Sequence, residues 1–462
     1  HCVTGVQTCA LPIWEVILHK VTNTKRANHL SAPLADILFA SSGLVKQVVY
    51  EGRSLTSLLD EIDQQRRPAI QSLTYDALRT WAYSQKIIKQ FLSKKPTKEI
   101  HCLLALAITL MIRQRQAQAH NQYSLPTIVN ESVKAAAMSP KTAHAQGLIN
   151  AVLRKLSMAE EHQKFLDNDL GIPYPKWWIN RIRSAYPKEW EDICREQQKP
   201  PPLILRVNTK KNSRQQYGTK LDSENIQYTS IDQIANLAID TAMLINKPVP
   251  VSRLPEFDHG AVSIQDAGAQ LAPILLKPAI GDRLLDACAA PGGKTAHLLE
   301  SVATDGLVLV ALEIDTERTK KIQNTINRLG LASDSVNVVT GDASKQDWWD
   351  GVLFDKIILD VPCSASGIVR RHPDIVFLRR EEDINSLVKT QKAILENAWQ
   401  MLRNQGLLLY LTCSIFPEEG EQQIQEFVQA HPNALRLEAP GQLLPKAHHD
   451  GFFYGLLKKT DS

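Results

Sequence analysis

Apolar residues in the first third of the chain recur at three-to-four spacing. Leu55, Leu58, Leu59 and Ile62 form one stripe, and Ile87, Ile88, Phe91 and Leu92 another. That is the period of a helix with one buried face. Glu99–Met111 is Leu- and Ala-rich throughout and predicts a helix covered on all sides. Ala145–Leu156 sets Leu148, Ile149, Val152 and Leu156 on one face and ends in Arg154-Lys155. Pro126 and Ser139-Pro140 punctuate the helices between. Residues 30–160 thus predict an all-α domain.

Residues 165–200 carry Tyr174, Trp177, Trp178, Tyr186 and Trp190 among basic groups. Such a run suits base stacking or helices that bury their aromatics, and packing is the simpler reading. Lys199-Pro200-Pro201-Pro202 breaks the helix. Leu203–Asn208 predicts a strand, and Val249–Glu256, with two prolines, a linker or sheet edge. A small α/β connecting subdomain over 165–260 follows. From 261 onward strands and helices alternate. Arg283–Ala287 predicts a strand, Lys294–Val302 a helix, Leu307–Ile314 a strand, and Glu317–Leu329 a helix stopped by Gly330. Val336–Thr340, Lys356–Leu359 and Leu407–Leu411 are further strands. Ile384–Arg403 is a helix with Asn404-Gln405-Gly406 as its stop. Such alternation predicts a Rossmann-like parallel sheet wrapped by helices over 261–462.

Composition is ordinary for a globular protein: 462 residues, 44% hydrophobic and 22% charged. No apolar run reaches the roughly 18–20 residues that span a bilayer, so a cytoplasmic protein with no membrane partner is expected. Charge changes the picture more. Residues 1–155 are net +10, residues 156–255 net +2, and residues 256–462 net −8. A basic front suits a polyanion partner. Seven scattered cysteines without a C-x-x-C spacing exclude a disulfide framework and a zinc ribbon, and no metal is expected. Residues 1–13, HCVTGVQTCALPI, lack an initiator Met, a basic n-region and a long apolar core. They are no signal peptide and resemble translated adapter read-through, so they are expected to be foreign and the natural start missing.

Ligands of a doubly wound sheet sit at the carboxyl ends of its strands. Here one strand runs into Asp286-Ala287-Cys288-Ala289-Ala290-Pro291-Gly292-Gly293-Lys294-Thr295. The next ends at Glu313, 21 residues after Gly292, spacing that suits a ribose diol. The third ends in Gly341-Asp342, where an acid can meet an adenine amino group, and the fourth at Asp360. The loop is neither G-x-G-x-x-G nor a P-loop, since Ala289 stands where the latter needs its first Gly. Four strand-end acids and no phosphate cradle predict S-adenosyl-L-methionine as cofactor.

Two cysteines follow strand ends of the same sheet, in Asp360-Val361-Pro362-Cys363 and in Leu411-Thr412-Cys413. Parallel strands bring both to one edge. Thiols suit methylation of cytosine carbon 5, a poor nucleophile. A thiolate adding to carbon 6 makes carbon 5 electron-rich, an acid near ring N3 assists, and a second thiol can assist release.

At this point residues 261–454 resemble the catalytic core of the bacterial RNA cytosine-5 methyltransferases of the NOL1/NOP2/Sun family. The stretches that carry the resemblance are DACAAPGGKT, LEID, GDAS, DVPCSASGIVRRHPDI, YLTCSIFPEEGE and HDGFFYG. The resemblance implies a class I methyltransferase fold, with Cys413 as nucleophile and Cys363 assisting release. It implies that Cys288, Ala289, Ala290, Pro291, Gly292, Gly293, Lys294, Glu313, Asp342 and Asp360 contact the cofactor. It implies as well that Asp360, alongside Lys294, acts on the cytosine. The family usually has Asp where this chain has Glu313, one methylene longer. Cys288 is expected to contribute backbone only.

The front of the chain resembles the NusB-like helical RNA-binding fold. Together the two resemblances cover nearly all of 30–460. They imply a monomer acting on 16S rRNA, at the cytosine numbered 967 in standard bacterial numbering. Arg370, Arg371 and His372 could hold RNA phosphate or the target nucleotide, or pair within the protein surface. Two alternatives stay open: the same chemistry on tRNA or another rRNA cytosine, and a non-catalytic RNA-binding assembly factor. Intact Cys363, Cys413 and Asp360 weigh against the second.

Overall fold

The structure, a computed structural model, describes residues 32–116, 123–158, 172, 174–302 and 307–461. Residues 1–13, expected to be foreign, lie outside the described residues, as does 165–171 of the aromatic connector. Two compact units are present. One takes Val369–Arg379 together with the helical front, up to Ile179, and the other holds Asn180–Ile368 and Arg380–Ser462.

Among the described residues the helical unit includes the helices Leu34–Glu51, Leu55–Asp60, Arg67–Arg79, Trp81–Phe91, Lys98–Gln116, Leu125–Ala137, Pro140–Ala143, Gln146–Met158 and Ile375–Leu378. Leu34–Glu51 stops at Gly52, whose left-handed φ of 69° lets its N–H return to the Val48 carbonyl. The run Cys102–Met111 is buried on every face, as its composition predicts. The last helix differs in detail. Ile149, Val152, Leu153 and Leu156 are buried, whereas Leu148 is 41% exposed. At 100° per residue, Leu148 lies on the far flank of a stripe centred on Val152 and Leu153. Val369–Arg379 is tied into this unit by polar contacts. Leu55 N donates to Asp374 Oδ2 at 3.0 Å, and Arg79 Nη2 donates to the Arg370 carbonyl at 2.6 Å. Trp178 is fully buried, edge-on to Trp177 at 5.2 Å, so this aromatic belongs to a core.

The other unit holds two principal sheets. Strands β1 (Leu203–Val207), β2 (Tyr228–Ser230), β5 (Ala242–Ile245) and β6 (Val262–Ile264) make an antiparallel sheet in the order β2-β5-β1-β6. β3 (Gln233–Ile234) and β4 (Leu237–Ala238) form a separate hairpin. The helix Arg214–Ser223 starts on a capping box between Ser213 and Gln216 and buries Tyr217 and Leu221.

The larger sheet runs β12-β13-β11-β10-β7-β8-β9. Its strands are β7 (Arg283–Ala287), β8 (Val308–Glu313), β9 (Val336–Thr340), β10 (Phe354–Asp360), β11 (Leu402–Thr412), β12 (Ala434–Leu443) and β13 (Phe452–Lys459). The pairs among β7 to β11 are parallel, and β13 lies antiparallel between β11 and β12. Leu285, Leu309, Ile357, Leu359 and Leu408 are wholly buried, as strands covered on both faces require. Strand order reverses between β7 and β10, which opens a crevice at their carboxyl ends.

One expectation fails here. The helix Glu381–Met401 ends before Asn404-Gln405-Gly406, and those residues lie within β11. The register slips between Phe354↔Leu402 and Lys356↔Leu407, and Gln405 takes a φ of 63°. The turn-like residues therefore make a bulge inside a strand rather than a helix stop.

Candidate active site

The segment after β7 turns tightly, with two residues in the left-handed region. Cys288 has φ of 67° and Gly292 φ of 98°. A Cβ on Gly292 would sit 3.1 Å from the Ile322 Cα, so conformation and space both call for glycine. Ala289 N donates to the Leu312 carbonyl at 2.9 Å, and Thr325 Oγ1 to the Pro291 carbonyl at 2.8 Å. These bonds fix Ala289, Ala290 and Pro291 ahead of the helix Gly293–Glu300.

The strand-end acids come together with distinct partners. Asp286 accepts from Thr295 Oγ1 at 2.5 Å, while its buried Oδ1 has no hydrogen-bond partner among the described residues. Burial pushes its carboxyl up to about 7. Glu313 accepts from Ala290 N and Asp315 N, both at 3.3 Å, and from Arg318 Nη1 at 3.2 Å. These are long bonds, and desolvation raises its carboxyl above the usual range. Arg318 also donates to the Ala290 carbonyl at 3.2 Å and so joins the loop to Glu313. Asp342 caps its own turn, taking Ser344 N at 2.9 Å and Ser344 Oγ at 2.7 Å on Oδ1. Lys294 Nζ lies 2.6 Å from Asp360 Oδ2, and both are buried. Burial raises the Asp360 carboxyl, opposed by the Lys294 ammonium.

Two cysteine sulfurs approach each other. Cys363 Sγ and Cys413 Sγ are 3.4 Å apart, each residue 1% exposed. Burial first, and then the Glu419 carboxylate, push the Cys363 thiol up, which keeps it protonated. Burial and the carboxylates of Glu313, Asp360 and Asp286 do the same to Cys288. Gly367 N donates to the Cys413 carbonyl at 2.8 Å and stitches one cysteine loop to the other.

Of the expected site residues, the structure groups Cys288, Gly292, Gly293, Lys294, Glu313, Asp342, Asp360, Cys363 and Cys413 along the carboxyl edge of one sheet. Arg370 and Arg371 lie in the helical unit and are 1% and 5% exposed. His372 belongs to the same segment, its carbonyl accepting from Ile375 N at 3.1 Å. Two groups escaped the sequence reading. Arg206 on β1 donates to both Glu300 carboxylate oxygens at 2.8 Å, to Gln265 Oε1 at 2.7 Å and to the Gly293 carbonyl at 2.7 Å. Glu419 gathers Ser364, Ser414 and Gln391. The only signal for Glu419 was its place in YLTCSIFPEEGE, and for Arg206 there was none beyond a charge in an apolar strand. Among the described residues, no group of three or more His, Cys, Asp or Glu is placed to hold a metal ion, and no helix is long and apolar enough to cross a membrane.

Three family descriptions match the chain. "16S rRNA methyltransferase RsmB/F" matches residues 273–458, an RsmF/B-like ferredoxin-like domain matches 174–252, and the NusB family matches 34–158. Ribosomal RNA small subunit methyltransferase B of Pasteurella multocida is 36% identical over 443 residues, covering 91% of this chain and 95% of that protein. The crystal structure of PH0851 covers 92% of this chain and 99% of its own, with a TM-score of 0.71 at 24% identity. NSun6 from Pyrococcus horikoshii, solved with SFG, covers 62% of this chain and 99% of its own, with a TM-score of 0.56 at 21% identity.

Proposed function

Because the chain belongs to the 16S rRNA methyltransferase RsmB/F family, we propose that it moves the methyl group of S-adenosyl-L-methionine to carbon 5 of a cytosine in 16S rRNA, through a covalent bond from Cys413 to the base. The observation that carries this reading is the 3.4 Å approach of the two cysteine sulfurs beside the buried Lys294–Asp360 pair. Methylation of nitrogen or oxygen needs no nucleophile to activate the acceptor, whereas carbon 5 does.

The sheet edge fits a nucleoside sulfonium. Carboxylates end β7, β8 and β10 or follow β9, the Gly292 turn admits close approach, and Asp286 Oδ1 is a buried acceptor with no partner among the described residues. Residues 288–294, Glu313, Asp342 and Asp360 would hold it, with Glu313 shared between Arg318 and the ribose hydroxyls. The SFG bound by NSun6 is an analogue of the same cofactor. When bound, S-adenosyl-L-methionine supplies an electrophilic methyl group.

As a free thiolate, its proton released to solvent, Cys413 gives a lone pair to carbon 6 to form the C–S bond, and the C5–C6 π bond breaks, its electron pair shifting toward carbon 5, which becomes electron-rich. Asp360, its carboxyl raised by burial, and Lys294 hydrogen-bond ring N3 and take up the charge of addition. Once carbon 5 carries its methyl group, a base removes the carbon-5 proton. The electron pair of that C–H bond restores the ring double bond and expels Cys413 as thiolate. Cys363, held protonated and 3.4 Å away, gives its proton to that thiolate. The basic surplus of residues 1–155 suits phosphate contacts that position the RNA.

The test is transfer of labelled methyl to unmodified 16S rRNA by wild type, Cys413→Ala and Cys363→Ala, with the modified base mapped. Label at carbon 5 of one cytosine, absent in C413A, and an RNA–protein adduct accumulating in C363A are expected. Label on tRNA alone would retain the chemistry and overturn the substrate. No label on any RNA, with cofactor bound, would overturn the enzyme reading in favour of a binding factor.

A further inference from the structure

Glu419 is a buried carboxylate that the reaction itself does not use. It ends the short 3-10 helix Pro417–Glu419 and accepts four hydrogen bonds. Ser364 N at 2.7 Å and Gln391 Nε2 at 3.1 Å reach Oε1, while Ser364 Oγ at 2.5 Å and Ser414 Oγ at 2.6 Å reach Oε2. An ionised carboxylate offers about four acceptor positions, so all are filled. Ser364 follows Cys363 in the chain, and Ser414 follows Cys413. One oxygen atom therefore bridges the residues next to both cysteines.

The surrounding groups close the network consistently. Ser366 Oγ lies 2.9 Å from Ser414 Oγ and accepts from Ile415 N at 2.9 Å. Ser414 Oγ accepts from Phe416 N at 3.0 Å, and Gln391 Nε2 also donates to the Pro362 carbonyl at 2.9 Å. Tyr410 OH donates to the Glu419 carbonyl at 2.9 Å. Each hydroxyl can donate once and accept at least once, as the ionised form of Glu419 requires. Burial pushes the Glu419 carboxyl up, opposed by these four bonds, and its charge adds to the burial that already keeps the Cys363 thiol protonated.

We propose that Glu419 is a positioning residue that sets the spacing of Cys363 from Cys413, and so acts on release of the methylated base. The inference rests on the covalent reading given above. It also predicts a property of the resting protein that needs no reaction. Glu419→Gln keeps the volume but replaces one acceptor oxygen by a donor, so it cannot accept all four bonds. Glu419→Ala removes the hub.

The experiment compares wild type, E419Q, E419A and C363A by three readouts. The first is the fraction of enzyme in a denaturant-stable RNA adduct during turnover. The second is kcat beside the cofactor dissociation constant. The third is amide hydrogen exchange of segments 361–368 and 411–416 without RNA or cofactor. In E419Q we expect kcat to fall about 10- to 100-fold, the cost of misplacing a reacting group by an ångström or less. Cofactor affinity should hold, adduct should accumulate as in C363A, and exchange should quicken in both segments together. Unchanged adduct and unchanged exchange in folded E419Q would overturn the proposal. So would a joint fall of cofactor affinity, adduct and Tm, since that marks a general stability role. If wild type itself methylates no RNA, the covalent reading fails, and the exchange arm alone upholds or overturns the spacing role.

Discussion

Arg206→Met isolates what the antiparallel sheet contributes to the loop after β7. Met keeps much of the side-chain volume and removes the guanidinium, leaving Glu300 buried without the partner that fills both its oxygens. Removing one member of a buried ion pair costs about 3–5 kcal/mol. The charge part has a ceiling, because Glu300 can take up a proton instead. An ordinary Glu titrates near 4.3, so staying neutral at pH 7 costs roughly 3.7 kcal/mol at about 1.36 kcal/mol per pH unit. The bonds to Gln265 and to the Gly293 carbonyl are lost as well, at roughly 1 kcal/mol each. Wild-type Glu300 already sits above the ordinary range, because desolvation outweighs the attraction of Arg206. Without Arg206 it rises further. The native variant then binds a proton that the unfolded chain releases, so its stability falls as pH rises. Urea unfolding of this unit should show a deficit of about 4–5 kcal/mol at pH 7.5, shrinking by up to roughly 2.7 kcal/mol at pH 5.5. Arg206→Met with Glu300→Met should recover most of it, since an apolar pair carries no desolvation penalty. A deficit under about 1 kcal/mol, one equal at both pH values, or a double variant as unstable as the single would refute the reasoning.

Two further outcomes are expected. Asp286, with its carboxyl at about 7, binds a proton in the folded state that an unfolded Asp has already lost. Folded-state stability should therefore decline as pH rises from about 4 to about 7, and Asp286→Asn should flatten that slope in urea titrations. Arg371, being buried, should lower Tm when changed to Ala. A role in holding RNA phosphate is upheld only if the same variant also reduces the slope of log affinity against log salt by about 1.

What could be read from the chain divides along a physical line. The parallel strands were legible because residues such as Ile357–Leu359 must be apolar on both faces, a demand that leaves a continuous run. The ends of those strands were legible too, since a sheet edge puts residues of fixed chain position into one crevice, and Cys363 with Cys413 follows from that alone. Leu148 and the Asn404-Gln405-Gly406 stop were misread because each depends on a rotation or register that only tertiary packing decides. Strands β12 and β13 stayed hidden since their antiparallel docking beside β11 is a long-range choice. Arg206 and Glu419 were illegible for a further reason. A buried charge has no sequence signature apart from its partner, and the partners Glu300 and Ser364 lie 94 and 55 residues away. Both support residues whose own motifs are plain. The proposed reacting groups were thus readable while the groups that hold them were not, because chemistry is written in residue type and spacing, and support is written in contacts that only the folded chain makes.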